Sequence, residues 1–301
     1  MNVDQTEFLC ADCPRMCFAR RTEDSGEGYC GCPLLPHVVR AAPHFGEEPC
    51  ISGMRGAGAV FFSGCNLRCV YCQNSEISRS PVGKRVSVSE LRDILLRLRD
   101  TGVHNIELVS AGHYVRTVSE ALDGLSLGIP VVWNSSGYES ALSLRSLEGL
   151  VQVYMPDYKY SVSGLGELFS DVPDYPETAA AAIREMYRQT GPYVLDEDGM
   201  LVSGVLIRHL ILPGETANAM GAIEFVAQNF PHGSVLFSLM SQYTPMPGES
   251  LSPALRRRVT EEENERLIRY MQACRIEDGY WQEVSSATDE MIPAFDGTGL
   301  S

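Results

Sequence analysis

Residues 63–74 read SGCNLRCVYCQN and place Cys65, Cys69 and Cys72 in a C-x3-C-x2-C spacing. Thiolates are the usual ligands of iron-sulfur clusters, and each iron of a 4Fe-4S cubane takes one ligand. Three closely spaced cysteines therefore leave one iron with an open coordination position. The spacing alone also fits a zinc ion that takes a fourth ligand from elsewhere, or an electron-transfer cluster that Cys50 completes.

From residue 59 onward, short apolar runs alternate with stretches of helical period. Strands are predicted at residues 59–64, 105–112, 130–137, 151–160, 203–212 and 234–243. Helices are predicted around residues 91–98, with Ser87 or Ser89 as the cap, and at 114–125, 140–148, 175–189 and 215–229. Strands alternating with helices pair in parallel, with the helices outside. The pattern predicts an α/β fold with an open, partial (β/α)6 barrel and a site at the carboxyl ends of its strands, where the triplet follows the first strand.

Three regions differ in composition. Residues 1–52 hold six of the ten cysteines with little periodicity, which predicts a small cysteine-rich, metal-binding module. Residues 53–248 form the predicted barrel. Residues 249–301 contain a predicted helix at 261–273 and a strand-like run at 279–284, which we interpret as a C-terminal helical cover.

Charge and apolar content limit the partners. The chain has 24 basic and 39 acidic residues and a net charge of -15, which argues against nucleic acid or an anionic membrane as a general partner. No window approaches the roughly 18 uninterrupted apolar residues of a membrane span, and the first residues are acidic and polar. We therefore expect a cytoplasmic protein with reduced thiols, whose clustering indicates metal binding. Cys274 stands apart and is expected to be a partly buried thiol.

A second cysteine group precedes the barrel. Cys10, Cys13 and Cys17 have a C-x2-C-x3-C spacing, and Cys30 and Cys32 follow. Four of these thiolates suit either a zinc ion or an auxiliary 4Fe-4S cluster, and the spacing leaves both open. Zinc would hold the module together, whereas a cluster would relay electrons or anchor substrate.

The triplet, with an aromatic residue before its last cysteine, resembles the radical SAM signature. The wider sequence resembles the uncharacterised relatives of pyruvate formate-lyase activating enzyme over nearly the whole chain. The matching stretches are residues 47–53 (EEPCISG), 61–65 (FFSGC), 71–74 (YCQN), 208–210 (RHL), 212–214 (LPG) and 242–245 (QYTP).

This resemblance implies an enzyme of oxidoreductase type that reductively cleaves S-adenosylmethionine at a 4Fe-4S cluster on the triplet and forms a 5'-deoxyadenosyl radical. It implies flavodoxin or ferredoxin as electron donor and a glycyl radical enzyme as candidate partner, activated by hydrogen abstraction from a glycine. Two alternatives stay open: a radical SAM reaction on a small molecule or another peptide, and a non-catalytic iron-sulfur or zinc protein. The resemblance also favours Cys30 over Cys32 as the fourth N-terminal ligand, with Cys50 as a further candidate.

The resemblance places the cofactor at the strand ends. Tyr71 would lie against the adenine. The family's Gly-Gly-Glu after the second strand is replaced here by residues 109–113, VSAGH, so the carbonyls of Ser110 and Ala111 are left to accept from the methionyl ammonium. Asn134 and Ser136 lie in a turn that resembles the ribose-side turn of the family, although a polar turn that only caps the next helix would look the same.

Charged residues on the later strands complete the candidate site. Asp157 and Lys159 resemble the Asp-x-Lys of activating enzymes, and residues two apart on a strand face the same side. Burying either charge unpaired is costly, so cofactor or substrate contact is favoured over a structural ion pair. Arg208 and His209 alternate faces, and Arg208 is favoured as a carboxylate partner. Gln242 closes the sixth strand.

Overall fold

The structure is a computed structural model, and it describes residues 8–246, 252–286 and 293–300. The strands are β1 (Phe8–Cys10), β2 (Ala19–Arg21), β3 (His37–His44), β4 (Ala57–Phe62), β5 (Lys84–Arg85), β6 (Ile106–Val109), β7 (Val131–Ser135), β8 (Val153–Pro156), β9 (Val194–Leu195), β10 (Leu201–Leu210), β11 (Leu236–Met240) and β12 (Gly279–Trp281). The α-helices are α1 (Pro49–Ser52), α2 (Ser75–Ser78), α3 (Val88–Asp100), α4 (Val115–Leu122), α5 (Ala141–Leu144), α6 (Ser163–Ser170), α7 (Tyr175–Thr190), α8 (Thr216–Asn229) and α9 (Glu261–Ala273). No helix in these ranges is long and apolar enough to cross a membrane.

One large sheet organises the chain. Its strand order is β12-β11-β10-β8-β7-β6-β4-β3-β5, and the strands from β4 to β12 pair in parallel along that order. Strands β4, β6, β7 and β8 are buried along their whole length, as expected where helices cover a parallel sheet. The sheet does not close on itself, so the predicted α/β fold with an open, partial barrel is confirmed.

The six predicted barrel strands correspond to β4, β6, β7, β8, β10 and β11. Several predicted runs extend past the observed carboxyl ends of these strands. The run predicted at 151–160, for example, ends as a strand at Pro156; Asp157 still bridges to Arg208, and Asp157 and Lys159 line the cavity. The extra length predicted for the strands is therefore the segment that carries candidate functional residues.

The amino-terminal region adds an antiparallel edge. Strand β3 precedes the predicted boundary at residue 52, yet it pairs with β4 and also with β5. The C-terminal end of the chain reaches the same strand, because Gly297 N–H donates to Val39 O and Ala41 N–H donates to Thr298 O. Strand β3 and the segment at Gly297 and Thr298 are therefore built onto the side of the barrel where β4 begins the parallel order.

The helices largely follow the predicted pattern. Helix α3 begins with a capping box in which Ser87 and Glu90 each accept from the other's backbone, and it buries the predicted leucine and isoleucine face. The run predicted as one helix at 140–148 forms the short α5 followed by a 3-10 turn. Helix α6 was not predicted, because Gly164 and Gly166 lower its helix propensity.

Candidate functional site

A cavity of about 220 Å³ opens at the carboxyl ends of the barrel strands. The predicted site residues that line it are Cys65, Cys69, Tyr71, Cys72, Ser110, Asn134, Ser136, Asp157, Lys159, Arg208 and Gln242. Ala111 is fully buried behind this wall, and its carbonyl accepts from Tyr114 N–H instead of facing the cavity. The fold thus brings together residues that are spread over almost 180 positions of the sequence.

The loop after β4 presents the cysteine triplet to this cavity. All three are free thiols, and among the described residues no fourth cysteine lines the cavity. Leu67 N–H donates to Cys65 Sγ at 3.3 Å, and Ser170 Oγ–H donates to Cys69 Sγ at 2.9 Å. Three thiols with hydrogen-bond donors around them fit a 4Fe-4S cluster that keeps one iron open.

Burial makes thiolate formation costly here without a cationic ligand. Burial first, and then the neighbouring Cys69, raise the pKa of Cys65 to about 12. Burial also raises the pKa of Cys69, and the charge of Lys159 opposes the rise at both residues. Lys159 therefore lies beside the thiols, and metal coordination would supply the larger compensation.

Tyr71 occupies an aromatic corner of the cavity. Its hydroxyl lies 2.7 Å from the Tyr160 hydroxyl, and its ring makes edge contacts with Phe169 and Tyr243. These contacts hold the ring in one orientation, with part of it on the cavity wall. Tyr243 lies behind it and donates its hydroxyl to Leu255 O.

The predicted acid and base after β8 form an ion pair. Lys159 Nζ and Asp157 Oδ2 are 2.5 Å apart, and their side chains are 18% and 16% exposed. Burial raises the pKa of Asp157, but Lys159 and Arg208 lower it more, so the carboxyl stays ionised; burial lowers the pKa of Lys159, but Asp157 raises it more. Both side chains face the cavity, as their alternation predicted.

Arg208 extends the ion pair across the cavity. Its Nε lies 3.2 Å from Asp157 Oδ1, its Nη1 2.8 Å from Glu47 Oε2, and its Nη2 2.6 Å from Asn134 Oδ1. All three nitrogens are thus engaged by protein acceptors, which leaves Lys159 as the better cation for a ligand carboxylate. His209 faces away, and its Nδ1 lies 2.6 Å from Tyr158 O.

Glu47 and Glu107 are site residues that the sequence reasoning did not single out. Glu107 is fully buried on β6, where its Oε1 accepts from Asn134 Nδ2 at 2.7 Å. Burial, and then Glu47, raise the pKa of Glu107 well above its usual range. A glutamate within the apolar run 106–109, IELV, was the available signal, because a buried strand seldom carries a charge without a partner.

The turns after β6 and β7 are conformationally demanding. Ser110 has a left-handed φ of 59° and donates its N–H to Asn134 O. The carbonyl of Ser136 accepts from Tyr175 Oη–H, and a Cβ on Gly137, at φ 74°, would lie 2.2 Å from Asp157 O. Packing between neighbouring strand ends therefore shapes these turns. At the end of β11, Gln242 Oε1 accepts a hydrogen bond from Gln282 Nε2 at 2.8 Å.

The four predicted N-terminal ligands share a second, smaller cavity. Its lining includes Cys10, Cys13, Cys17 and Cys30. Cys32 is turned aside and donates to Cys30 O, and Cys50 is buried among apolar residues elsewhere in the barrel. In the part of the chain that the structure describes, no group of three or more His, Cys, Asp or Glu side chains is positioned to hold a metal ion.

The N-terminal cysteine module contacts the triplet loop directly. Arg15 Nε donates to Asn66 O at 2.7 Å, and Arg68 Nη2 donates to Tyr29 O at 2.8 Å. The guanidinium groups of Arg15 and Arg68 both lie over the Tyr29 ring, at 3.4 and 4.2 Å from its centroid. Tyr29, Asn66 and Arg68 are each next to a cysteine, and Arg15 lies two residues from both Cys13 and Cys17, so the loops that carry the two cysteine groups pack against each other.

Comparisons with known proteins match this geometry. The family described as "4Fe-4S single cluster domain" matches residues 52–141, which include the triplet, β4, β6 and β7. An uncharacterized protein of Methanocaldococcus jannaschii is 28% identical over 274 residues, covering 86% of this chain and 73% of that protein.

A solved structure of another protein shares the fold. Streptococcus suis SuiB bound to S-adenosylmethionine superposes with a TM-score of 0.51 at 13% identity, covering 77% of this chain and 52% of SuiB. A domain of a pyruvate-formate lyase-activating enzyme from Bacteroides vulgatus gives a TM-score of 0.40 at 16% identity, covering 65% of this chain and 91% of that domain. The chain spans about half the length of the SuiB chains that it matches.

The fold, the cysteine triplet and the match of residues 52–141 to the 4Fe-4S single cluster domain agree with the resemblance inferred from the sequence.

Proposed function

We propose that this protein is a radical SAM enzyme that reductively cleaves S-adenosylmethionine. One observation carries the proposal: three free thiols, without a fourth cysteine among the described residues, line the same cavity as a lysine, an aspartate and polar strand ends. When bound to Cys65, Cys69 and Cys72, a reduced 4Fe-4S cluster supplies the electron that splits S-adenosylmethionine into methionine and a 5'-deoxyadenosyl radical.

The residues of the cavity would bind and orient the cofactor. Lys159 lies beside the thiols and offers its ammonium to the methionyl carboxylate. Tyr71 presents a fixed aromatic surface for the adenine, and Ser110 O accepts from the methionyl ammonium. Asn134 and Ser136 border the ribose. Arg208 holds Asp157 through Nε and Asn134 through Nη2.

The substrate and the electron donor follow from the resemblance. A glycine of a partner glycyl radical enzyme is the candidate hydrogen donor, with flavodoxin or ferredoxin as the source of the electron. A small molecule or another peptide is the second candidate. Deuterium transfer from a labelled substrate into 5'-deoxyadenosine distinguishes them, because the radical takes its hydrogen from the true substrate.

The N-terminal thiols would hold a second metal, zinc or an auxiliary 4Fe-4S cluster. Cys10, Cys13, Cys17 and Cys30 line one cavity, and they would supply four thiolates once their side chains close around the metal. Burial raises the pKa of Cys13 to about 11, so loading would release protons as thiols become thiolates. The buried Arg21, whose Nη1 lies 3.5 Å from Cys10 Sγ, offsets part of the thiolate charge.

The test is anaerobic reconstitution, reduction with dithionite in the presence of S-adenosylmethionine, and chromatography for 5'-deoxyadenosine. We expect wild-type protein and a Cys274→Ala control to form it, since Cys274 lies outside both cysteine groups. Cys69→Ala should form none, because the cluster would lose its fixed open iron. Product formation by Cys69→Ala would refute the assignment of the cluster to the triplet. No product from reconstituted wild type would refute the proposed activity and favour a non-catalytic iron-sulfur or zinc protein.

A further inference from the structure

Glu47 reaches the cavity from outside the barrel strands. It lies between β3 and α1, and its Oε2 contacts Arg208 Nη1 at 2.8 Å. Its Oε1 has no hydrogen-bond donor among the described residues, and His44 Nε2 is 3.9 Å away. Glu47 and His44 both line the cavity. One carboxylate oxygen is therefore held by the protein while the other stays available to a ligand.

Two further carboxyl groups stand behind Glu47 with unpartnered oxygens. Glu107 is fully buried, and its Oε2 has no hydrogen-bond partner among the described residues although it adjoins Glu47. Glu48 Oε2 is also buried without a hydrogen bond, and it lies 4.0 Å from Arg208 Nη1. A buried carboxylate oxygen without a donor is costly, so a cation or a proton is missing at this place.

The charges around Arg208 show the same shortage of positive charge. Four carboxyl groups act on Arg208, namely Asp157, Glu47, Glu48 and Glu107. The cations in this cluster are Arg208 and Lys159, and Lys159 is already paired with Asp157. Burial raises the pKa of Glu48 although Arg208 opposes it, and burial and Glu47 raise the pKa of Glu107. Protons on these two groups would compensate the surplus in the free protein.

The order of the charged side chains separates this place from the thiols. Lys159 acts on Cys65 and Cys69, and from it the contacts run through Asp157 and Arg208 to Glu47. Two charged side chains therefore lie between the lysine beside the thiols and Glu47. With a cofactor held at the thiols, these two side chains would separate Lys159 from Glu47, so Glu47 could contact a second molecule.

We propose that Glu47, backed by Glu48 and Glu107, binds a cationic group of the substrate, an ammonium or a guanidinium. The inference rests on the proposed function for the reaction that follows, but the binding site stands on the geometry. A cation at Glu47 Oε1 would take the place of the protons that the buried carboxyl groups hold. Glu47 is then a residue that selects basic substrates.

The experiment uses n-butylammonium and its neutral counterpart butan-1-ol as probes. Both are titrated by saturation-transfer difference NMR into the full-length, anaerobically reconstituted protein, once without S-adenosylmethionine and once at a saturating concentration of it. We expect wild type to prefer n-butylammonium by about tenfold or more, the value of one hydrogen bond to a charged group. Glu47→Gln should abolish the preference without affecting butan-1-ol, and Glu47→Asp, which retains the charge, should keep most of it.

Glu197→Gln is the matched control, because Glu197 is exposed in the turn between β9 and β10. It should bind both probes as wild type does. If Glu47→Gln does not fold, Glu48→Gln replaces it, since Glu48 makes no hydrogen bond to Arg208 among the described residues; this variant should weaken n-butylammonium binding alone.

Three results would overturn the inference: equal affinity of wild type for the two probes, an unchanged preference in a folded Glu47→Gln or in the Glu48→Gln substitute, or a preference that disappears when S-adenosylmethionine saturates the protein. The last would assign Glu47 to the cofactor. Formation of 5'-deoxyadenosine is measured on the same samples without probe. Its absence from wild type with the cation preference intact would refute the proposed function and leave the cation site standing.

Discussion

Replacing Lys159 by methionine tests whether the segment after β8, which lines the cavity, binds the cofactor. Methionine keeps the length of the side chain and removes its charge. Lys159 is 18% exposed and faces the cavity, so the thioether packs where the stem now lies. Asp157 loses one partner but keeps Arg208 Nε at 3.2 Å, so its carboxylate is not left alone. We therefore expect the variant to fold.

The magnitude follows from the contact that Lys159 would make. A hydrogen bond from an ammonium to a carboxylate is worth roughly 1.5 to 3 kcal/mol, and each 1.4 kcal/mol changes an affinity about tenfold. Lys159→Met should therefore bind S-adenosylmethionine about ten- to a hundredfold more weakly. Since Lys159 is mostly buried, water would not replace the lost donor fully.

The assay is equilibrium binding of S-adenosylmethionine to the reconstituted, unreduced protein, together with a thermal melt. Lys84→Met is the matched control, because Lys84 is half-exposed on β5, where it pairs with Glu90. It should bind the cofactor as wild type does. Unchanged affinity of Lys159→Met with a lowered melting temperature would show that the Lys159–Asp157 pair is structural, and would refute the placement of this strand end in the cofactor site.

Replacing Cys65, Cys69 and Cys72 together should leave zinc or about four irons at the N-terminal thiols, and metal analysis that finds neither would exclude a metal there. Arg15→Leu removes the hydrogen bond from Arg15 to Asn66 O, so a chelator should remove the cluster faster, as followed by the loss of its absorbance. An unchanged rate of loss would show that this hydrogen bond does not hold the triplet loop. Burial raises the pKa of Glu139 from 4.5 to about 7. The folded protein therefore binds the carboxyl proton of Glu139 more tightly than the unfolded chain does, and the free energy of unfolding of wild type falls as pH rises through that interval. Glu139→Gln has no such proton to lose, so its free energy of unfolding should rise relative to that of wild type by up to roughly 3 kcal/mol between those pH values. The measurement is urea denaturation at a series of pH values, and the same pH dependence of the free energy of unfolding in both proteins would contradict the prediction.

Local sequence pattern determined most of the barrel and the centre of its site. Apolar runs and helical periods located the six parallel strands and the main helices, because each element buries a face that repeats along the chain. The spacing of Cys65, Cys69 and Cys72 predicted their common role, since a short loop cannot carry them far apart. Alternation along one strand likewise put Asp157 and Lys159 on the same side.

The tertiary structure decided what lies far apart in sequence. It added β3 to the sheet, turned Cys32 and Cys50 away from the N-terminal cavity, and joined Glu47 and Glu107 to Arg208. Glu47 and Arg208 are 161 positions apart, and no local period relates them. Such contacts depend on which strands become neighbours and on where buried charges find compensation, and both are properties of the packed chain rather than of any segment of it.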